Sequence, residues 1–266
     1  MSKALSYDDV LLKPQYSDIR SRTEVSTQTD LGNGLVLRVP ILASPMDTIS
    51  EAPMAMAVGL YGGAAIIHRY NSIQEQADII TIAKERAQQE HNKEIVIGAA
   101  IGVTDDYLNR AAVLNALEVD FICVDVAHGH HLLMRDTLQT LRQKLGSDIH
   151  IMAGNVATLE GYNDLVDWGA DSVRCNIGGG SICSTRIQTG HGVPGLHTII
   201  DCARSAGRQV PIIADGGIRN SGDIVKALAA GADFEDAKTC EEVSCCVHDE
   251  LFSFYSRESA RQHGVD

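Results

Sequence analysis

The chain has 266 residues, of which 44% are hydrophobic, so it can bury one large core. Its net charge of −13 argues against nucleic acid or an anionic membrane as a partner, because phosphate backbones require clustered Lys and Arg. No run approaches the roughly 18 consecutive apolar residues of a membrane span. Seven cysteines at irregular spacing, without a signal-peptide pattern, predict reduced thiols and a cytoplasmic protein. A small phosphorylated ligand stays compatible with this charge, because backbone amides can bind phosphate.

Short apolar runs alternate with amphipathic stretches along the chain, which is typical of βα units around a parallel sheet. Eight strands are predicted, at Ile41–Ala43, Ala64–His68, Ile95–Ala99, Phe121–Val124, Ile149–Ala153, Ser172–Ile177, Pro211–Ala214 and Ala232–Phe234. Helices are predicted near 51–60, 73–90, 105–117, 131–144, 158–168, 196–207 and 221–230. This order predicts an α/β fold, a single (β/α)8 TIM barrel. A doubly wound sheet is the alternative, although no Gly-x-Gly-x-x-Gly follows the first strand.

Two of the predicted helices carry capping signals at their first residues. Ser72 precedes Ile73-Gln74-Glu75, and Thr104 precedes Asp105-Asp106. A hydroxyl followed by an acidic residue in the first turn is typical of a helix N-terminus. The sequence therefore predicts Ser72 and Thr104 as N-caps.

Residues 174–186 are the most informative stretch of the chain. An apolar run ends in Gly178-Gly179-Gly180, and Cys183 follows beside Ser184, Thr185 and Arg186. Glycines let the backbone approach a ligand closely, because no Cβ intervenes. Cys183 is therefore a candidate thiolate nucleophile in an electropositive setting. The alternative is a surface turn that happens to contain a cysteine.

The residues that stand out chemically share one position relative to the predicted strands. Each directly follows a strand: Ser44, Met46 and Asp47, His68 and Arg69, Asp125 and His128, Asn155, Gly178–Cys183, and Asp215-Gly216-Gly217. In a TIM barrel, the carboxyl ends of the strands meet on one face, where active sites are built. The sequence thus predicts one site at that face.

The cysteine loop Gly178–Thr185 is one of seven sequence blocks that occur in a recognisable order. The other six are Tyr7–Leu12, Ser44–Thr48, Ile66–Arg69, Val124–His130, Ala153–Val156 and Ala214–Arg219. Together they resemble the IMP dehydrogenase/GMP reductase family. The resemblance covers residues 5–234 and implies a catalytic barrel. Helix 73–90 fills the interval between His68 and Ile97, so no inserted regulatory domain is expected.

The resemblance implies a role for each matched residue. Cys183 would be the catalytic nucleophile and Thr185 its proton relay. The implied substrate-binding residues are Ser44, Met46, Ser181, Asp215, Gly216 and Gly217. Those on the cofactor side are His68, Asp125, Asn155 and Arg174. The carbonyls of Gly178, Gly180 and Cys183 match a potassium site.

Several of these residues have plainer alternative roles. Thr185 can stabilise its loop, Asp215 can form an Asx-turn, and Asp125 can cap a helix. The cysteines in predicted strands and helices, Cys123, Cys175 and Cys202, are expected to be core thiols. His128, His130 and His131 are expected to lie behind the site without a metal. Cys240, Cys245, Cys246 and His248 fit no standard zinc spacing.

Both chemistries implied by the family begin with attack of the thiolate on C2 of a purine ring. The sequence favours GMP reductase with NADPH, because Ser21–Val25 and Thr189–Gly192 look like that enzyme. IMP dehydrogenase with NAD is the alternative, since Ser44–Met46, Asn155–Thr158 and Gly216–Asp223 look like it. A catalytically dead nucleotide-binding barrel is a third reading. Family membership also implies a homotetramer.

The resemblance stops after Phe234. Glu235-Asp236-Ala237-Lys238 is too acidic for a buried parallel strand, so the barrel is expected to span 1–234. Residues 235–266 are expected to form an irregular tail beside a catalytic flap. The tail reads as though segments were missing near Phe234/Glu235 and Tyr255/Ser256, with the flap beyond Asp266. A truncated, inactive relative is the alternative.

Overall fold

The computed structural model describes residues 3–180, 183–207 and 209–237. Thr29–Asp30 (β1) and Val36–Leu37 (β2) form a small antiparallel hairpin, and eight parallel strands then close into a barrel. The barrel strands are β3 Ile41–Ala43, β4 Ala64–Ile67, β5 Val96–Ile101, β6 Phe121–Asp125, β7 His150–Val156, β8 Ser172–Cys175, β9 Ile212–Asp215 and β10 Phe234–Ala237. They follow one another in chain order, and β10 pairs with β3 to close the ring. The predicted (β/α)8 barrel is confirmed.

Helices cover the outside of the barrel and connect its strands. They are α1 Ala52–Tyr61, α2 Ile73–His91, α3 Tyr107–Ala116, α4 Leu132–Leu145, α5 Leu159–Asp167, α6 Thr185–Thr189, α7 Gly195–Cys202 and α8 Ser221–Ala230. The short helix α6 is missing from the sequence prediction. Helix α2 directly connects β4 to β5, so no domain is inserted there. Within the described ranges, no helix is both long and apolar enough to cross a membrane.

The two predicted N-caps have different outcomes. Ser72 caps α2 as predicted: its Oγ accepts from Glu75 N at 3.2 Å, and Glu75 Oε2 accepts from Ser72 N at 2.8 Å. The prediction for Thr104 is wrong, because Asp106 is the residue that precedes α3. Asp105 has a φ of +58°, so a left-handed turn separates Thr104 from the helix.

The apolar core has two layers, one inside the barrel and one between the strands and helices. The inner layer is made by Leu31, Leu37, Leu42, Ala64, Ile66, Ala100, Phe121, Cys123, Met152, Ile213 and Phe234. Gly98 is required by this packing, since a Cβ there would lie 2.2 Å from Phe121 Cε2. The hairpin places Leu31 and Leu37 in the inner layer, so it closes the amino-terminal end of the barrel.

An aspartate lies just before each of three barrel strands. Asp120, Asp171 and Asp233 precede β6, β8 and β10, and each accepts a backbone N–H from the preceding strand at 2.7–2.8 Å. The donors are Ile97, Ile151 and Ile212, whose carbonyls accept the aspartate N–H in return. Each aspartate therefore ties two neighbouring strands at the amino-terminal end.

The prediction that Glu235 and Asp236 cannot complete a buried strand is wrong. Strand β10 continues to Ala237, and Asp236 pairs in register with Leu42 on one side and Asp215 on the other. The acidic side chain is tolerated because Asp236 forms a salt bridge with a buried arginine, Arg174. The division of the chain at residue 234 stays a prediction. The tail from 238 onward, with Cys240, Cys245, Cys246, His248 and Tyr255/Ser256, lies outside the described residues.

Candidate active site

A cavity of about 280 Å³ opens at the carboxyl ends of the barrel strands. The structure brings ten of the predicted site residues into its wall: Ser44, Met46, Asp125, Asn155, Arg174, Gly178, Gly180, Cys183, Thr185 and Asp215. They come from five different strand ends and the loops after them. Residues that each follow a strand in the sequence therefore meet at the carboxyl end of the barrel.

Cys183 is the accessible thiol of this cavity. Of the four cysteines in the described ranges, Cys123, Cys175 and Cys202 are buried and Cys183 is half-buried. The Cys183 Sγ donates to Thr185 Oγ1 at 3.2 Å. Burial raises the pKa of the Cys123 thiol, which keeps that cysteine protonated and inert. Cys183 therefore has the access and the hydroxyl partner that a nucleophile needs.

Gly179 and Gly217 are required by the close packing of the two loops that carry them. A Cβ on Gly179 would lie 2.0 Å from Asn176 Nδ2, and one on Gly217 would lie 2.9 Å from the Gly179 carbonyl. Asn176 Nδ2 in turn donates to the carbonyls of Asp215 at 2.8 Å and Gly216 at 3.1 Å. The cysteine loop and the Asp215–Gly217 turn are therefore held together as one unit.

Arg174 forms the polar floor of the site. Its guanidinium is 3% exposed and contacts Asp125 at 2.5 Å, Asp236 at 2.7 Å and Asp215 at 3.3 Å. Burial alone would lower the pKa of Arg174, but Asp215, Asp236 and Asp125 raise it well above its ordinary value. The guanidinium thus stays charged. Asp125 binds Arg174 rather than capping α4, whose N-cap is His131.

The structure places His68 behind the cavity rather than in its wall. The His68 ring is buried, with Nε2 3.6 Å from Glu51 and 3.9 Å from Asp47. The next two residues, Arg69 and Tyr70, line the cavity instead. Arg69 was noted in the sequence by its place after β4 but was given no role, and Tyr70, which follows directly, was missed.

Buried Gln76 fixes the chain that presents Arg69 and Tyr70. Its Nε2 donates to the carbonyls of Ile67 at 3.1 Å and His68 at 3.0 Å. Arg110 Nη1 donates to Gln76 Oε1 at 3.0 Å, so the network continues onto α3. This part of the wall is therefore supported from behind by side chains that do not reach the cavity.

Three buried polar atoms of the cavity wall have no hydrogen-bond partner in the part of the chain that is described. They are Ser44 Oγ, Arg69 Nε and Asn176 Oδ1. Buried polar atoms are normally satisfied, so these donors and acceptors point to a polar ligand. A nucleotide offers hydroxyl and phosphate groups, and a nicotinamide offers a carboxamide, that can pair with these atoms. The residues present therefore fit such ligands.

Two further predicted site residues, Gly216 and Gly217, lie beside this cavity. Gly217 lines a neighbouring cavity of about 420 Å³, and the Gly216 carbonyl accepts from Asn176. Ser181 lies outside the described residues. The Gly180 carbonyl accepts from Cys183 N at 3.1 Å, and the potassium site stays a prediction.

The neighbouring histidines have structural partners. His130 Nε2 lies 2.7 Å from Asp164 Oδ2, and His131 Nδ1 accepts from Leu133 N. Burial lowers the pKa of His128, with His130 and His131 adding to the effect. Among the described residues, no group of three or more His, Cys, Asp or Glu side chains is arranged to hold a metal ion.

A closed parallel barrel that carries a half-buried cysteine between glycine and aspartate loops defines a (β/α)8-barrel enzyme with its site at the carboxyl rim. The family follows from comparison. Residues 4–235 match the model of the IMP dehydrogenase / GMP reductase domain, and the chain belongs to this family of oxidoreductases. The family acts on purine nucleotides and uses a nicotinamide cofactor.

Relatives named IMP dehydrogenase and relatives named GMP reductase both resemble this chain. An inosine-5'-monophosphate dehydrogenase of Cryptosporidium parvum is 36% identical, over 87% of this chain and 66% of its own length. One from Borreliella burgdorferi is 35% identical, over 87% and 68%. A GMP reductase of Leishmania major is 30% identical, over 88% and 73%. The chain thus spans about two thirds of the length of the first of these relatives, and the relatives' names differ in the reaction.

Proposed function

We propose that this chain is a purine nucleotide oxidoreductase that acts at C2 of a 6-oxopurine ribonucleotide through a covalent bond to Cys183. The observation that carries this proposal is the Cys183 thiol, half-buried in the cavity and 3.2 Å from Thr185 Oγ1. A thiol is a stronger nucleophile than the neighbouring hydroxyls of Ser184 and Thr185, and C2 of the purine is an electrophilic carbon.

The chain's own residues would divide the work between binding and chemistry. Ser44, Ser181, Asp215 and Gly217 would hold the phosphate and ribose. As the Cys183 sulfur adds at C2 and the C2=N3 double bond opens, the thiol proton would pass by way of the Thr185 hydroxyl, which already accepts from it, to the ring nitrogen N3. The C2–S bond later breaks and restores the cysteine. The bound nicotinamide would supply or accept the hydride at C2.

Asp125, Asn155 and Arg174 would position the nicotinamide side of the cavity. Arg69 and Tyr70 join them in the proposal, since they line the cavity where His68 does not. Tyr70 is 62% exposed and offers an aromatic face at the cavity mouth. Arg69 lies 5.5 Å from the centre of that ring and brings a positive charge beside it.

The preferred reaction is that of a GMP reductase, in which GMP loses its amino group as ammonia and NADPH reduces C2 to give IMP. Ser21–Val25 and Thr189–Gly192 support it. The second candidate is IMP dehydrogenase, which oxidises IMP with NAD; the 36% and 35% identical relatives bear that name. A potassium ion, a homotetramer and a cytoplasmic location complete the proposal.

One assay separates the candidates. Purified protein is incubated with GMP plus NADPH and, separately, with IMP plus NAD, and the absorbance of the reduced cofactor is followed. Consumption of NADPH with release of ammonia establishes the reductase. Formation of NADH with IMP establishes the dehydrogenase instead. No change in either mixture contradicts both and leaves the dead nucleotide-binding barrel.

A further inference from the structure

Asp236 is a buried carboxylate one residue beyond the matched family domain, and the proposed function gives it no role. It lies on β10 two residues after Phe234, whose side chain is in the inner core layer. Alternate residues of a strand point to the same side, so Asp236 points into the barrel one layer above Phe234. Its exposure is 0%. Asp236 therefore lies beneath the cavity and out of reach of a ligand in it.

Asp236 makes the closest double contact with Arg174. Its Oδ2 accepts from Arg174 Nε at 2.8 Å and lies 2.7 Å from Nη2. The opposite edge of the guanidinium, Nη1, donates to Asp125 Oδ1 at 2.5 Å and lies 4.0 Å from Cys123 Sγ. Nη2 also lies 3.3 Å from Asp215 Oδ2. Arg174 is thus oriented by three carboxylates, and Asp236 binds its Nε edge.

Loss of Asp236 would leave the Arg174 Nε–H buried without its acceptor. The nearest remaining carboxylate for Nη2 is Asp215, so the guanidinium would move toward it. Asp215 is one of the cavity residues and also accepts from Asn155 Nδ2. A fully engaged Asp215 would have less capacity to accept hydrogen bonds from ribose hydroxyls.

We propose that Asp236 is a positioning residue, which holds Arg174 by its Nε edge and so keeps the Asp215 carboxylate available to the ribose of the substrate. This inference rests on the proposed function, in which Asp215 binds ribose. Asp236 acts only through Arg174. Its effect should therefore fall on ribose recognition rather than on the reaction at Cys183.

The first test examines Arg174 itself and is independent of activity. In the ¹⁵N-labelled protein, the Arg174 Nε–H should give a resonance protected from exchange with solvent, assigned with Arg174→Lys or through its own side-chain connectivity. Asp236→Asn should shift this resonance and increase its exchange rate. Asp233→Asn is the matched control, because Asp233 is equally buried on the same segment but accepts from Ile212 N. It should leave the resonance in place.

The second test measures ribose recognition by calorimetry, with GMP and 2'-deoxy-GMP as the probes. Asp236→Asn should raise the dissociation constant for GMP about tenfold and that for 2'-deoxy-GMP much less, because the lost contact involves a ribose hydroxyl. Asp233→Asn should leave both constants unchanged. In turnover assays at saturating cofactor, the KM for GMP should rise in Asp236→Asn while kcat changes little.

The outcomes separate the inference from the proposed function. Equal weakening of both nucleotides, or an unchanged Arg174 resonance, would overturn the positioning role. If the wild-type protein binds neither nucleotide, the proposed function fails and the ribose role fails with it. The Arg174 resonance would then still show whether Asp236 anchors the arginine. If Asp236→Asn does not fold, Asp236→Glu takes its place, with the same expected shift of the resonance.

Discussion

The two ends of the barrel use aspartates in opposite ways. At the amino-terminal end, Asp120, Asp171 and Asp233 each accept a backbone N–H from a neighbouring strand. At the carboxyl end, Asp125 and Asp215 face a cavity and share one arginine. The first arrangement satisfies backbone groups and joins strands, whereas the second leaves charged oxygens beside space for a ligand. The same residue type thus stabilises one end and equips the other for function.

The cavity wall at the carboxyl end also contains buried polar atoms that a ligand could satisfy. Ser44 Oγ, Arg69 Nε and Asn176 Oδ1 are buried in the cavity wall without a partner among the described residues. A buried donor or acceptor without a partner costs stability unless a ligand or water satisfies it. The carboxyl end therefore accepts a stability cost that binding can offset. Mutations at the two ends should accordingly separate activity from stability.

The largest expected effect is on turnover, at the carboxyl end. Cys183→Ser should lower kcat by about a thousandfold or more, because serine is a far weaker nucleophile without a base to activate it. Nucleotide affinity and the melting temperature should change little. Ser184→Ala is the matched control, since Ser184 is exposed and its side chain caps no helix. Steady-state kinetics and calorimetry on both variants check this, and substantial turnover by Cys183→Ser would exclude the covalent route.

The next effect is on stability, at the amino-terminal end. Asp171→Ala removes the acceptor of Ile151 N and the ion pair with Arg142. The free energy of unfolding should fall by about 2 to 3 kcal/mol, because the N–H and the guanidinium both lose a charged partner. KM for the nucleotide should not change. Chemical denaturation measures the loss, with exposed Asp167→Ala as the control, and a change in KM would show that the two ends are coupled.

A pH dependence of stability should also arise at the amino-terminal end. Burial lowers the pKa of His150 from 6.5 to about 4, so the folded protein resists protonation of this ring. Between pH 6.5 and 4 the unfolded chain takes up a proton that the folded state does not. Stability should therefore fall as the pH falls, by about 3 kcal/mol from this group alone. In His150→Gln the loss between pH 7 and pH 4 should be smaller by that amount; an unchanged slope would contradict the assignment.

The smallest expected effect is on kcat and concerns Thr185 at the carboxyl end. Thr185→Val keeps the side-chain shape but removes the hydroxyl that accepts from Cys183. We expect kcat to fall about tenfold to a hundredfold, with KM nearly unchanged, if this hydroxyl relays the thiol proton. Thr189→Val on the same short helix is the control, because the Thr189 hydroxyl donates to the Thr185 carbonyl and does not contact the thiol. If both variants have the same kcat and KM, the Thr185 hydroxyl stabilises the loop and does not relay the proton.

Local patterns were sufficient to predict the barrel and most of the site. Apolar runs bounded by polar turns predict all eight strands, and the residues after them converge as a parallel barrel requires. Helix α6 was not predicted, because its five residues, Thr185–Thr189, have no hydrophobic periodicity. The hairpin β1–β2 escaped for a similar reason, since each of its strands has only two residues.

What the sequence could not reveal depends on contacts between distant residues. Asp236 completes β10 because Arg174, on β8, lies close enough to neutralise it, and no local pattern records that pairing. His68 looked like a site residue by its place after β4, but its ring turns toward Asp47 and Glu51. Side-chain packing at the end of β4 turns the His68 ring away from the cavity, whereas Arg69 lines it. A sequence pattern does not record this packing.

The most direct test of the central claim is to map which thiols react and what protects them. The protein is treated with iodoacetamide, with and without GMP or IMP, and each modified cysteine is located by fragmentation mass spectrometry. We expect Cys183 to react first and to be protected by either nucleotide, while buried Cys123, Cys175 and Cys202 stay unmodified in both samples. Modification of Cys183 at the same rate with and without saturating nucleotide would contradict the claim that this cavity is a purine nucleotide site.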